Sequence, residues 1–169
     1  MASNRSHAAA WVTRDGVDWA RAPHRRATLG GPGRQRMRGV AASASLLDAV
    51  GADAADAAVC TSEDGRNWAQ VADHNAVFGG DGKQSIAGVA YGESGWVAVG
   101  RDEDQPVIWV SVDGREWDRL PGGALVGDYD DFALHAIASS GPRFVAVGSA
   151  VDPTRRQTSV GISFGSEDG

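Results

Sequence analysis

The sequence predicts an all-β fold built from a repeated unit of 49 residues. Three observations predict it: a Ser/Thr-x-Asp-Gly-x-x-Trp motif recurs, short apolar runs recur at fixed distances from it, and no segment has helical periodicity. Asp15 and Asp64 are 49 residues apart, as are Asp64 and Asp113, and Asp168 follows Asp113 by 55 residues. Such a period is typical of repeat architectures.

Each motif predicts a β-hairpin, because Asp-Gly between alternating polar and apolar residues favours a two-residue turn with positive φ. With Asp64 and Gly65 as the turn, Thr61 faces Trp68, and the same register sets Val110 beside Trp117. The Asp and Ser oxygens can accept hydrogen bonds from turn amides. A catalytic carboxylate is needed once, whereas this one recurs, so we interpret the motif as structural. Its positions are Thr13, Asp15, Gly16, Trp19, Ser62, Asp64, Gly65, Trp68, Ser111, Asp113, Gly114, Trp117, Ser166, Asp168 and Gly169.

The chain begins with a single hairpin over residues 8–22, which is half of a repeat unit. Residues 23–38 are rich in Pro, Gly and Arg and predict a loop. Two complete units follow over residues 37–72 and 84–121, and a further unit over residues 132–169 lacks its last strand. The predicted strands of these units are residues 39–42, 46–51, 57–61, 68–71, 86–91, 96–100, 107–110, 116–120, 134–138, 144–148 and 160–164.

Several of these strands are apolar on both faces, as residues 96–99 and 107–110 show. Their connections are too short for anything but antiparallel pairing. An antiparallel sheet that is apolar on both faces must be covered on both, which the radially packed blades of a β-propeller achieve and a plain sandwich does not. We therefore expect residues 1–169 to form a single partial domain, an incomplete arc of roughly three to four propeller blades.

The repeated motif resembles the Asp-box, or BNR, repeat of sialidase-like β-propellers, in a variant that is one residue shorter between Asp and Trp. The resemblance covers residues 8–169. It implies that each motif lies on the hairpin between the third and fourth strands of a blade. It also implies an extracellular or cell-surface location for a full-length protein. The family contains glycosidases as well as sorting receptors and assembly factors, so the resemblance leaves the activity open.

Composition excludes several classes of function. The net charge of −6 and the pI near 5.1 argue against nucleic-acid binding, although residues 1–38 carry a net charge of +6. No apolar run approaches transmembrane length, and the start of the chain lacks the pattern of a signal peptide. The four histidines are isolated, so we expect no metal site and no cofactor. Cys60 aligns with Trp11 and Trp109 and is expected to fill a strand position.

Candidate binding residues lie on loops that differ between copies. In a propeller these loops share the face opposite the motifs, and loops on a rigid scaffold commonly carry binding sites. The result is a charge-patterned face. Its members are Arg25, Arg26, Arg34, Arg36, Asp102, Asp104, Asp128, Asp130, Arg155 and Arg156.

Three near-motifs do not carry a function. Residues 79–83 lack the spacing, the Ser or Thr and the following helix of a phosphate-binding loop. Tyr91 and Glu93 resemble the catalytic pair of sialidases, but both fall at the turn between the first and second strands, on the motif side. The Arg-Leu-Pro at residues 119–121 resembles the Arg-Ile-Pro signature of the family, yet a similar tripeptide at residues 21–23 makes it part of the repeat.

The sequence thus favours a non-catalytic binding or scaffolding module that contacts a glycan or a protein. The alternative is a fragment of a sialidase-like exo-glycosidase whose catalytic residues lie outside this chain. In both cases an arc of blades leaves apolar outer faces bare. We therefore expect either missing blades or self-association.

Overall fold

The computed structural model of the protein describes residues 6–23, 33–72, 77–122, 130–151 and 159–165. These residues form thirteen β-strands, and a membrane-spanning helix is absent from them. The strands are β1 (Trp11–Val12), β2 (Ala20–Arg21), β3 (Gln35–Ala42), β4 (Leu47–Asp53), β5 (Asp56–Ser62), β6 (Ala69–Gln70), β7 (Gln84–Gly92), β8 (Gly95–Asp102), β9 (Gln105–Ser111), β10 (Asp118–Pro121), β11 (Asp130–Ser140), β12 (Arg143–Val151) and β13 (Ser159–Gly165).

The strands pair in antiparallel fashion into separate sheets, each made of strands that follow one another in the chain. Sheet A is the β1–β2 hairpin, sheet B runs from β3 to β6, sheet C from β7 to β10, and sheet D from β11 to β13. Sheets B and C have four strands each. The prediction of an all-β fold with repeated four-stranded antiparallel sheets is therefore confirmed.

A β-bulge recurs in the first strand of sheets B, C and D. The register shifts between Met37 and Gly39, between Ile86 and Gly88, and between Leu134 and Ala136. Facing the bulge in the second strand is Gly51, whose counterparts are Gly100 and Gly148; a Cβ atom on any of the three would overlap a backbone carbonyl oxygen of the first strand. The glycines that recur in the sequence therefore allow this close backbone approach.

Sheets B, C and D pack against one another through their first strands. A Cβ atom on Gly39 of β3 would lie 3.2 Å from Cα of Gly88 in β7, and one on Gly88 would lie 3.3 Å from Cα of Ala136 in β11. One hydrophobic cluster, with Val50, Trp96 and Trp109 among its members, fills the space between sheets B and C. A second cluster lies between sheets C and D, and a third between sheets A and B.

The predicted loop over residues 23–38 is wrong at its end, because β3 already begins at Gln35. Gln35 pairs with Asp53 across the sheet, and its side-chain Nε2 donates a hydrogen bond of 2.7 Å to Oδ1 of Asp53. This half-buried contact extends the strand beyond the apolar run. Arg36 and Arg38 consequently lie on a strand.

Candidate functional site

The three described copies of the motif form loops of one shape, which we call the motif loops (residues 13–19, 62–68 and 111–117). In the second copy, Oδ1 of Asp64 accepts backbone hydrogen bonds from Arg66 at 2.8 Å and from Asn67 at 2.7 Å. Oγ of Ser62 accepts one from the backbone of Gly65 at 2.9 Å. The indole Nε1 of Trp68 donates to the carbonyl oxygen of Gly65 at 2.9 Å.

The first and third copies repeat these contacts. Asp15 accepts from the backbone amides of Val17 and Asp18, each at 2.9 Å. Asp113 accepts from the corresponding residues of its own loop at 2.8 and 2.9 Å. The indoles of Trp19 and Trp117 bond to their loop glycines at 3.3 and 3.1 Å. The predicted role of the Asp and Ser oxygens as acceptors for turn amides is thus confirmed in the described copies.

The predicted two-residue turn at Asp-Gly is wrong. Thr61 pairs with Ala69 instead of Trp68, and Val110 pairs with Asp118 instead of Trp117. The loop is wider because the Asp carboxylate holds two successive amides, which replaces the strand pairing that a tight turn would need. The Trp side chain then folds back over the loop instead of facing a cross-strand neighbour.

The loop hydrogen bonds keep the motif carboxylates ionised. Backbone amides of Asn67 and Arg66, followed by the Asn67 side chain, hold the pKa of Asp64 well below its ordinary value. Bonds from Asp18, Val17 and Thr13 lower the pKa of Asp15 to about 2. Acceptance of two or three hydrogen bonds favours the charged form of a carboxylate. These oxygens accept hydrogen bonds within their own loops, as expected for structural groups.

The opposite end of sheets B and C, which we call the loop end, is defined by the β4–β5 turn at residues 54–55 and the β8–β9 turn at residues 103–104. Ala54 and Glu103 adopt positive φ angles of 56° and 50° and are 49 residues apart. Each donates its backbone N–H to the carbonyl oxygen of the residue that precedes the first strand of its sheet. Ala54 donates to Arg34 at 2.9 Å, and Glu103 donates to Lys83 at 2.8 Å. A tight two-residue turn therefore recurs at this end of sheets B and C.

A polar network fixes the loop end of sheet C. Buried Gln84 donates through Nε2 to Oδ1 of Asp102 at 2.6 Å and to the carbonyl of Asp81 at 3.0 Å. Arg119 forms an ion pair with the second oxygen of Asp102 and donates to the carbonyl of Gly79 at 3.3 Å. Burial raises the pKa of Asp102, but the bonds from Gln84 and Arg119 outweigh it and leave the pKa lowered.

Sheet B has the counterpart of this network 49 residues earlier, in the bond between Gln35 and Asp53. Within the described residues, Oε1 of Gln35 and Oε1 of Gln84 are both buried without a hydrogen-bond partner. This Gln–Asp pair was not predicted from the sequence. The identical spacing of Gln35 with Gln84 and of Asp53 with Asp102 was the signal that could have revealed it.

The candidate binding residues have different surroundings. Arg34, Arg36 and Asp104 are exposed at or near the loop end, whereas Asp102 is half-buried and engaged by Gln84 and Arg119. Asp130 begins β11. The remaining candidates, Arg25, Arg26, Asp128, Arg155 and Arg156, and the fourth motif copy with Ser166, Asp168 and Gly169, lie outside the described residues.

Asp48 is a buried carboxylate that the sequence analysis also missed. It lies in β4, its side chain is fully buried against the motif loop of sheet C, and neither oxygen has a hydrogen-bond partner among the described residues. Burial raises its pKa to about 7; Arg115 opposes this rise and Asp113 adds to it. Val97 stands 49 residues later, so an acid at an otherwise apolar repeat position was the available signal.

The remaining titratable candidates have structural surroundings. Tyr91 is partly exposed and packs against Trp96 with the ring centroids 4.9 Å apart and the ring planes inclined at 53°. Glu93 lies in the β7–β8 turn, at the end that holds the motif loops. Cys60 lies in β5, which confirms the predicted strand position. It is also buried, and burial raises the pKa of its thiol to about 12. In the described part of the chain, no group of His, Cys, Asp and Glu side chains is arranged to hold a metal ion.

Comparisons with known proteins add no family assignment. The chain matches no protein-family profile and no curated protein.

Proposed function

We propose that sheets A to D are successive blades of an Asp-box β-propeller, and that the chain is a non-catalytic module that binds a glycan or a protein at its loop end. Two findings support the propeller. The motif loops repeat one set of hydrogen bonds, and the first strands of sheets B, C and D pack side by side at the same glycine-lined positions. A radial arrangement covers both faces of each inner sheet.

The observation that supports a non-catalytic role is that the motif carboxylates are hydrogen-bonded within their own loops. In each motif loop, one carboxylate oxygen of the Asp accepts hydrogen bonds from two backbone amides of the same loop, as seen at Asp15, Asp64 and Asp113. A carboxylate held in this way stays ionised, so it is a poor general acid, which most glycosidases need in order to protonate the leaving group.

The loop end suits recognition of a polar partner. Its tight turns are anchored to the sheets by backbone hydrogen bonds, and the Asp102–Arg119 ion pair stiffens one of them. Arg34, Arg36 and Asp104 stand exposed on this rigid support. Charged side chains on a preorganised surface bind with a smaller loss of conformational entropy than the same groups on a loose chain.

A pair of matched variants tests the binding end on a glycan microarray. Arg34→Glu with Arg36→Glu reverses two charges at the loop end, and Arg14→Glu with Arg66→Glu reverses two exposed charges on the motif loops. We expect glycan signals of the wild type to fall at least tenfold in the first variant and to persist in the second. The opposite pattern would place binding at the motif end and refute the proposal.

A protein partner is tested by photo-cross-linking. A photoreactive amino acid at position 104 reports on the loop end, and one at position 112, which is 87% exposed in the native chain, reports on a motif loop. We expect a discrete cross-linked species from position 104 alone. Cross-linking from position 112 alone would contradict the proposed binding face.

The proposal also predicts that the purified chain does not hydrolyse a fluorogenic sialoside. Turnover that Tyr91→Phe or Glu93→Gln abolishes would show instead that these residues act in catalysis, and would refute the non-catalytic role.

A further inference from the structure

The interface between neighbouring sheets has two sides, which we call the trailing face and the leading face. The trailing face of sheet B includes Val50, which pairs with Gly39 beside the bulge. The leading face of sheet C includes Trp109 and Trp117. All three side chains are at most 6% exposed and belong to one hydrophobic cluster.

The trailing-face position recurs in every sheet that has a bulge. Val99 pairs with Gly88 in sheet C, and Val147 pairs with Ala136 in sheet D, as Val50 does with Gly39. Val50 and Val99 are 0% and 2% exposed because the next sheet covers them, whereas Val147 is 44% exposed. Val145 beside it is 41% exposed. The trailing face of sheet D is therefore an uncovered copy of a surface that is buried twice elsewhere.

The leading face shows the same contrast at the other end of the described arc. Trp11 pairs with Arg21 as Trp109 pairs with Arg119, so the two tryptophans occupy the same position in their hairpins. Trp109 is fully buried, but Trp11 is 55% exposed. Trp19 is 61% exposed, although its counterparts Trp68 and Trp117 are 9% and 6% exposed. Both exposed indoles also line the edge of an apolar groove of about 560 Å³ that lies between β1 and sheet B.

We propose that the trailing face of sheet D docks on the leading face of sheet A in a second copy of this chain. A second copy is proposed as the partner because the same two kinds of face already meet within one chain. Sheet D presents the counterparts of Val50, sheet A presents the counterparts of Trp109 and Trp117, and these side chains already pack together between sheets B and C. Exposed apolar patches that continue an existing type of interface are expected to be covered.

The contact joins two different surfaces, so the assembly is head-to-tail. A pair of copies joined in this way keeps one free face of each kind, and repetition of the contact gives a closed ring or an open chain according to the rotation between copies. The inference is independent of the ligand proposed for the loop end, because neither docking face includes Arg34, Arg36 or Asp104.

Sedimentation velocity of the full chain at rising concentrations tests the proposal. The wild type is expected to exceed the monomer mass of 17.5 kDa as concentration rises. Val147→Asp places a charge on the trailing face and Trp11→Asp places one on the leading face, so each variant alone is expected to stay monomeric. Val112→Asp, at an 87% exposed motif-loop position outside both faces, is the control and should associate like the wild type.

Mixing the two monomeric variants distinguishes head-to-tail contact from any other. Val147→Asp keeps its leading face and Trp11→Asp keeps its trailing face, so an equimolar mixture should form a dimer that does not grow further. A wild type that is monomeric at all concentrations, variants that associate unchanged, a mixture without dimer, or a control that loses association would each overturn the proposal.

Far-ultraviolet circular dichroism verifies that each variant is folded. If either variant fails this check, Val145→Asp and Trp19→Ser alter the same two faces at other positions, and the same outcomes apply to them.

Discussion

A Cβ atom on Gly114 would lie 2.5 Å from Oδ2 of Asp48, so the motif loop of sheet C closes directly over a buried carboxylate of sheet B. The same atom would lie 2.8 Å from Cδ2 of Leu46. Gly114 also has a positive φ of 75°. This glycine therefore serves two purposes: it allows the loop conformation and it leaves room for the neighbouring sheet.

The two purposes can be separated by comparing Gly114→Ala with Gly16→Ala. Gly16 has nearly the same φ, 77°, but a Cβ there would meet nothing within 4 Å. We expect Gly16→Ala to lower the free energy of unfolding by about 1 kcal/mol through backbone strain. Gly114→Ala should cost about 2 to 4 kcal/mol, because overpacking adds to the strain. Urea denaturation measures both, and equal losses would show that the contact between the sheets carries no energy.

Asp48 is expected to destabilise the fold at neutral and alkaline pH. Its folded pKa is raised to about 7, above that of an unfolded aspartate, so the folded state holds the proton more tightly and stability falls as pH rises from about 4 through 7. Asp48→Val, which restores the residue type of Val97, should raise the free energy of unfolding by on the order of 2 kcal/mol at pH 8, and by less at pH 5.

Urea denaturation of Asp48→Val and the wild type across this pH range tests the prediction. Asp56→Val, at an exposed position, is the control for replacing an aspartate by valine. A constant difference between Asp48→Val and the wild type at every pH would mean that Asp48 is ionised in the folded state throughout.

Asp64 should act in the opposite sense. Its folded pKa is lowered, so the stability that it contributes is fully present above the unfolded pKa near 3.9 and is lost as pH falls toward the folded value. Asp64→Ala should therefore lower the melting temperature at pH 7, with a smaller difference from the wild type below about pH 4. Asp56→Ala is the matched control, and an equal effect of the two substitutions at pH 7 would contradict the role of the loop hydrogen bonds.

The positive φ of Ala54 predicts a stabilising substitution. Ala54→Gly relieves a left-handed conformation that costs about 1 to 2 kcal/mol, against an entropic loss of about 0.5 to 1 kcal/mol, so the net gain should be about 0.5 to 1 kcal/mol. Ala55, its neighbour in the turn, is not among the positive-φ residues, and Ala55→Gly should be destabilising. Melting curves of the two variants that shift in the same direction would contradict this turn geometry.

The sequence predicted the repeat, the position of most strands and the hydrogen-bonding role of the motif oxygens. These features depend on local chemistry. Alternating apolar runs favour strands, Gly at a fixed spacing permits positive φ, and a Ser or Asp side chain reaches amides two or three residues ahead. The same interactions recur in each described copy, as the bonds of Asp15, Asp64 and Asp113 show.

The surroundings of the candidate binding residues were predicted only in part. Arg34, Arg36 and Asp104 are exposed, as the charge pattern suggested, but Asp102 is tied to Gln84 and Arg119, which lie 18 and 17 residues away in the chain. Strand pairing brings these residues together. Sequence spacing alone did not separate a free carboxylate from a paired one.

The sequence by itself determined the repeating unit, because its period, turns and apolar runs are properties of short segments. Tertiary structure decided the burial of Asp48 and the exposure of Val147 and Trp19. Identical repeat positions differ in burial, from Val50 at 0% to Val147 at 44%, only because a neighbouring sheet covers one and not the other. That difference depends on which surfaces meet in space, and local residue preferences do not encode it.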